Sequence, residues 1–140
     1  MHIPYIQKVF KDAGQDFTLI PIMVGQLDKE KLPTYAKVLL PLFNDERTLF
    51  IVSSDFCHWG QRFQFTFKYA DEPVIHKSIE KLDKLGMGLI ENQKSIPFIN
   101  YLTETRNTIC GREPITLLMA IMEAAKKEGS EFETKFVKYA

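Results

Sequence analysis

The run Leu49-Phe50-Ile51-Val52, together with the polar octet after it, constrains this chain more than any other stretch. Four consecutive apolar residues with no polar alternation predict a strand buried on both faces. The next eight residues are Ser53-Ser54-Asp55-Phe56-Cys57-His58-Trp59-Gly60, so polar and metal-ligating groups arrive where that strand should end. In open α/β sheets, ligands bind outside the carboxyl ends of strands. Asp55 and His58 are therefore the first site candidates, because a carboxylate near an imidazole fixes its tautomer and raises its basicity. The same residues also suit a buried loop whose polar groups satisfy one another. The spacing alone leaves both readings open.

Around this centre the pattern alternates between helix and strand signals. Residues 3–13 predict a short helix, with Ile6, Val9 and Phe10 on one face and Gly14 as its stop. Residues 17–24 read as a strand, in which Pro21 favours an edge or a bulge. Asp28 is placed to cap a helix on which Leu32, Tyr35, Ala36, Leu39 and Phe43 recur at helical spacing. Pro33 fits only its first turn, and Pro41 should end or bend it. Asp71 is placed to cap a long helix whose Ile75, Ile79, Leu82, Gly86 and Leu89 share a face; Gly86 and Gly88 weaken it, and either permit close packing or mark its end. Ser95 opens a shorter helix and Pro114 another, stopped by Gly129. The alternation of Phe132, Thr134 and Phe136 with charged neighbours suggests a closing strand. The order predicts an α/β fold of about three strands and four helices.

Lys and Arg number 18 and Asp and Glu number 18, so no net charge draws the chain to nucleic acid or an anionic membrane. No apolar run approaches the ~20 residues of a membrane span, and the first residues show no signal-peptide pattern. Cys57 and Cys110 form no CxxC pair and no disulfide framework, which points to a cytoplasmic protein. P-loop, GxGxxG, HExxH and GxSxG patterns are absent from the sequence.

Cys110 is the second candidate. It lies just before the helix that Pro114 is set to open, where unpaired N–H donors stabilise a thiolate, and Arg112 adds positive charge. A thiolate is a soft metal ligand, although a lone cysteine is also among the most buried residue types. His2 is a further site group, Trp59 is a candidate pocket wall, and His76 falls on a charged helix face. Asp55, His58 and Cys110 could share one cleft, yet the chain has few spare histidines to complete a catalytic metal shell.

The segment Val52-Ser53-Ser54-Asp55-Phe56-Cys57-His58-Trp59-Gly60-Gln61-Arg62-Phe63 closely resembles the Memo family, mediators of ErbB2-driven cell motility. So do residues 78–87, Asn107-Thr108-Ile109-Cys110-Gly111-Arg112, His2-Ile3-Pro4-Tyr5, and Tyr139-Ala140. The resemblance covers nearly all of this chain but only about the C-terminal half of a Memo protein. It implies a partial three-layer α/β/α domain, similar to the non-haem iron extradiol dioxygenases, with an incomplete sheet. On that comparison the chain is a single domain over residues 1–140, truncated on its N-terminal side and lacking the last strand.

The resemblance places Cys110 where the dioxygenases carry a metal-ligand carboxylate, within an incomplete shell. It places His58 in the pocket beside Asp55, the two candidates for catalysis, with His2 approaching the same cleft. Two further histidine ligands belong to the half not matched here. The family implies a cytoplasmic signalling or adaptor protein that binds phosphotyrosine receptor peptides and cytoskeletal regulators, without ring-cleaving activity. His2, His58, Trp59 and Arg112 are the ligand-binding candidates. No cofactor is expected in this chain by itself, and iron or copper is expected in the complete family protein. The alternative is a metal-dependent redox enzyme using iron or copper.

Overall fold

A computed structural model describes residues 2–139 of the chain; Ala140, part of the terminal Tyr-Ala motif, lies outside them. Five α-helices carry the architecture: α1 (Ile3–Asp12), α2 (Leu32–Phe43), α3 (Ile75–Glu91), α4 (Ser95–Thr105) and α5 (Arg112–Lys127). Each lies where apolar residues recur at helical spacing. Pro33 sits in the first turn of α2, and that helix ends two residues beyond Pro41. α3 passes through both of its glycines, and Gly86 faces the Tyr101 ring of α4. α5 begins at Arg112, with Pro114 in its first turn.

The expected α/β sheet is not formed. Among the described residues no strand occurs, and the sole β pairing is an isolated antiparallel bridge between Gly60 and Phe65. The expectation of an α/β/α layering with three strands is therefore wrong, while the described residues form five helices, one at each helical segment named from the sequence, against a total put at about four. The physical reason is that a strand requires a neighbour about 4.8 Å away to exchange backbone hydrogen bonds. Segments 17–24, 48–54 and 130–139 make no ladder with one another. Instead, side chains hold them. Phe43 on α2 packs edge-on against both Phe50 and Phe132, with centroids 5.5 and 5.3 Å apart. Gln93 donates to the Phe132 carbonyl at 3.0 Å, and the Glu91 carboxylate accepts from the Phe136 N–H at 2.9 Å. The central run is not buried on both faces, since Leu49 is 69% exposed.

Two apolar cores share α5. One joins Leu32, Ala36 and Leu40 of α2 to Leu117, Ile121 and Ala125 of α5. The other gathers Leu82, Phe98, Tyr101, Ile109 and Met119, with Phe65 closing it from the loop side. α5 thus packs on α2 and α4, and α4 packs on α3. No helix among the described residues is long and apolar enough to cross a membrane.

Candidate metal site

The loop after Val52 and the loop between α4 and α5 lie against each other and bring three ligating side chains together. Asp55, His58 and Cys110 each offer one donor atom, and these atoms all lie within 4.8 Å of one another. His58 Nε2 stands 3.1 Å from Cys110 Sγ and 3.9 Å from Asp55 Oδ2. Asp55 and Cys110 are exposed and His58 is half-buried, so the three donor atoms are open to solvent on one side. Phe63, from the turn Gln61–Phe63, covers the His58 ring at 5.0 Å, and the Arg62 guanidinium lies over Phe63.

Backbone and hydroxyl bonds fix this juxtaposition. The Cys110 N–H donates to the Asp55 carbonyl at 3.1 Å. The Thr108 hydroxyl accepts from the His58 N–H at 2.6 Å and donates to the His58 carbonyl at 2.9 Å. The Gly111 N–H donates to Ser54 Oγ at 2.9 Å, and that hydroxyl donates to the Asp55 carbonyl. Gly111 permits the contact: a Cβ there would sit 2.4 Å from Ser54 Cβ and 2.7 Å from the Ser53 carbonyl oxygen.

Beside the cluster opens a cavity of about 420 Å³, lined by Asp55, His58, Cys57, Asp83, Phe136 and Tyr139 among others. Asp83, only 3% exposed, accepts from the Cys57 N–H at 3.3 Å, the Asn107 amide at 3.0 Å and the Tyr139 hydroxyl at 3.2 Å. Burial outweighs these donors and holds its carboxyl above the ordinary carboxylate range. Burial and the Asp83 charge push the Tyr139 hydroxyl up to about 12. The same two influences, burial first, push the Cys57 thiol up to about 11, which marks it as packing.

Not every candidate from the sequence joins the cluster. His2 Nδ1 shares a 2.8 Å hydrogen bond with Ser53 Oγ, at the edge of the site loop but outside the three-donor group. Trp59 packs on the second core and donates its indole N–H to the Phe67 carbonyl at 2.9 Å. Arg112 lines a different cavity, of about 530 Å³, together with residues 24–29. Sequence reasoning missed Asp83, Thr108, Ser54 and Phe63. Asp83 had a usable signal, because it shares the α3 face of Ile79, Leu82 and Gly86, where a carboxylate needs donors.

Residues 1–140 match, over the whole chain, the family described as Memo-like protein. The chain belongs to the Memo family. It is 44% identical to Protein MEMO1 of Danio rerio and 41% identical to Protein MEMO1 of Homo sapiens, each over 140 residues. Those matches cover 100% of this chain and 47% of the relative. A match to Protein memo-1 homolog of Caenorhabditis elegans is 39% identical over 124 residues, 88% of this chain and 35% of the relative. The Memo-family chain thus spans about half the length of the curated relatives that it matches.

Proposed function

We propose that this Memo-family chain contributes a transition-metal site to a cytoplasmic signalling protein of receptor-linked cell motility. The observation that supports the metal reading is the three-donor cluster of Asp55, His58 and Cys110, within 4.8 Å. A carboxylate oxygen, an imidazole nitrogen and a thiolate sulfur make a borderline-to-soft donor set, which suits copper or zinc and also accommodates iron. Three protein donors leave positions open to water or an exogenous ligand. The half-buried imidazole, covered by the tilted Phe63 ring, would hold the ion's place, while the exposed carboxylate and thiolate would let it exchange. A bound copper or iron ion would supply one-electron chemistry there.

Cobalt(II) titration is the direct test. A thiolate-to-cobalt charge-transfer band should grow to one equivalent, vanish in Cys110→Ser and weaken strongly in His58→Ala. Metal analysis after dialysis against a chelator should then find the protein stripped, as expected for two exposed donors. No band in the wild-type protein would refute the metal reading.

A metal-dependent redox enzyme is the second reading. What favours it is the cavity beside the donors, with Asp55 and His58 on its wall and a protonatable Asp83 at its side. Binding of phosphotyrosine receptor peptides belongs to the signalling reading. Its available cation beside the cluster is Arg62, stacked on Phe63. Equal affinity for phosphorylated and plain peptide would count against it.

A further inference from the structure

The donors of the cluster come from two loops that no sheet ladder ties together, so something else must set their spacing. His58 is held through its own peptide unit. One hydroxyl, Thr108 Oγ1, accepts from its N–H at 2.6 Å and donates to its carbonyl at 2.9 Å. This is the pair of bonds that a neighbouring strand would make to a residue, supplied instead by a side chain. Asp55 and Cys110 are held by a second set: Cys110 N–H to the Asp55 carbonyl, and Ser54 Oγ bridging the Gly111 N–H to that same carbonyl. Each ligand residue is therefore registered by the opposite loop, and two hydroxyls carry most of the registration.

We propose that Thr108 and Ser54 are positioning residues that fix the Asp55–His58–Cys110 spacing and thereby set the affinity of this chain for a transition metal. The inference rests on the metal reading of the cluster. Thr108 is well suited to the task, because β-branching restricts its side chain to few rotamers, so the hydroxyl is held in place before His58 arrives. Removing it leaves both polar groups of the His58 peptide without their partners in a half-buried loop. The imidazole then loses its fixed origin, while every ligand atom remains present. Changes in groups that orient metal ligands typically lower metal affinity by about 10–100-fold.

Thr108→Val keeps shape and removes the hydroxyl; Ser54→Ala does the same for the second set. Cobalt affinity, measured by competition with a chelating dye, should fall at least about tenfold in each. The thiolate-to-cobalt band should also shift or broaden as the geometry loosens. Thr108→Ser, which restores the hydroxyl, should return affinity and band close to wild type. Thr103→Val is the control, since that hydroxyl bonds only to the Ile99 carbonyl within α4. If Thr108→Val is too unstable to titrate, Ser54→Ala decides. Affinity within threefold of wild type in whichever variant stays folded would overturn the proposal. A wild-type protein with no cobalt band would instead refute the metal reading beneath it.

Discussion

Replacing Gly111 with alanine should damage both the fold and the site, and the structure sets the size of the effect. The backbone there is ordinary, at φ −87°, so only space is at issue. The added methyl would lie 2.4 Å from Ser54 Cβ, 2.6 Å from Ser54 Oγ and 2.7 Å from the Ser53 carbonyl oxygen. A flexible side chain could swing aside, but Cβ and a backbone oxygen cannot, so loop 53–55 must retreat. Overpacking of this kind costs about 1–3 kcal/mol. The retreat also breaks the Gly111 N–H bond to Ser54 Oγ, worth about 1 kcal/mol. The total of about 2–4 kcal/mol is a large share of a typical domain stability of about 5–15.

Gly88→Ala in α3 is the matched comparison. A Cβ there meets nothing within 4 Å, so the same substitution should stabilise by about 0.5–1 kcal/mol through helix propensity. Urea unfolding followed by far-UV circular dichroism measures both, as shifts of the midpoint in opposite directions. Gly86→Ala should fall between them. Its Cβ would lie 3.0 Å from the Tyr101 hydroxyl oxygen, on a ring tied to the Leu82 carbonyl. A Gly111→Ala midpoint equal to wild type would show that the two loops do not abut as described, and the account of the site would fail with it.

The remaining predictions concern titration and thiol access. The buried Asp83 carboxyl binds its proton more tightly in the folded chain than in the unfolded one, so its contribution to stability is greatest below the unfolded value. It declines as pH rises through the folded value. Subtracting the profile of Asp83→Asn from wild type between about pH 3 and pH 8 should leave a difference that falls with pH and then levels. A difference that rises would refute the assignment of burial as the dominant influence. Iodoacetamide at neutral pH should modify exposed Cys110 and spare Cys57, whose thiol is pushed up to about 11; in denaturant both should react. Equal labelling of the two in the folded protein, read by peptide mass, would show that Cys57 is not packed as described.

The helices were legible because their signal is contained within the segment. Of the face read at helical spacing, Leu32 and Ala36 are buried where α2 meets α5, Leu39 and Phe43 pack at its edge, and Tyr35 is exposed; the buried Leu40 is one that this reading misses. The strands were not, because pairing depends on what lies alongside. Phe132, Thr134 and Phe136 do alternate inward, as the sequence pattern indicates, yet Gln93 and Glu91 hold that segment by side-chain bonds. Alternation reports which side chains are covered and carries no information about the neighbour that a ladder requires. In the site, Asp55, His58 and Cys110 could be named from ligand chemistry alone. Trp59 could not be placed, because its direction is decided by a distant acceptor, the Phe67 carbonyl. Thr108 and Ser54 are too common as residue types to be singled out before the loops are seen together.

The sharing of α5 between the two cores has a consequence for how the molecule opens. Ile121 and Ala125 serve one core, Met119 serves the other, and the peptide just before the helix carries Cys110. Amides in the middle of α5 can exchange with solvent only when both cores come apart, so they should report the global unfolding free energy. Segments 17–24 and 48–54, which lack ladder bonds, should exchange orders of magnitude faster. The donor cluster therefore joins two levels of expected protection: Cys110 leads into α5, the unit expected to open last, and Asp55 directly follows segment 48–54, where ladder bonds are lacking. An ion bound across them would act as a brake on local opening, slowing exchange in the 53–58 loop while leaving mid-helix α5 amides unchanged in order of protection.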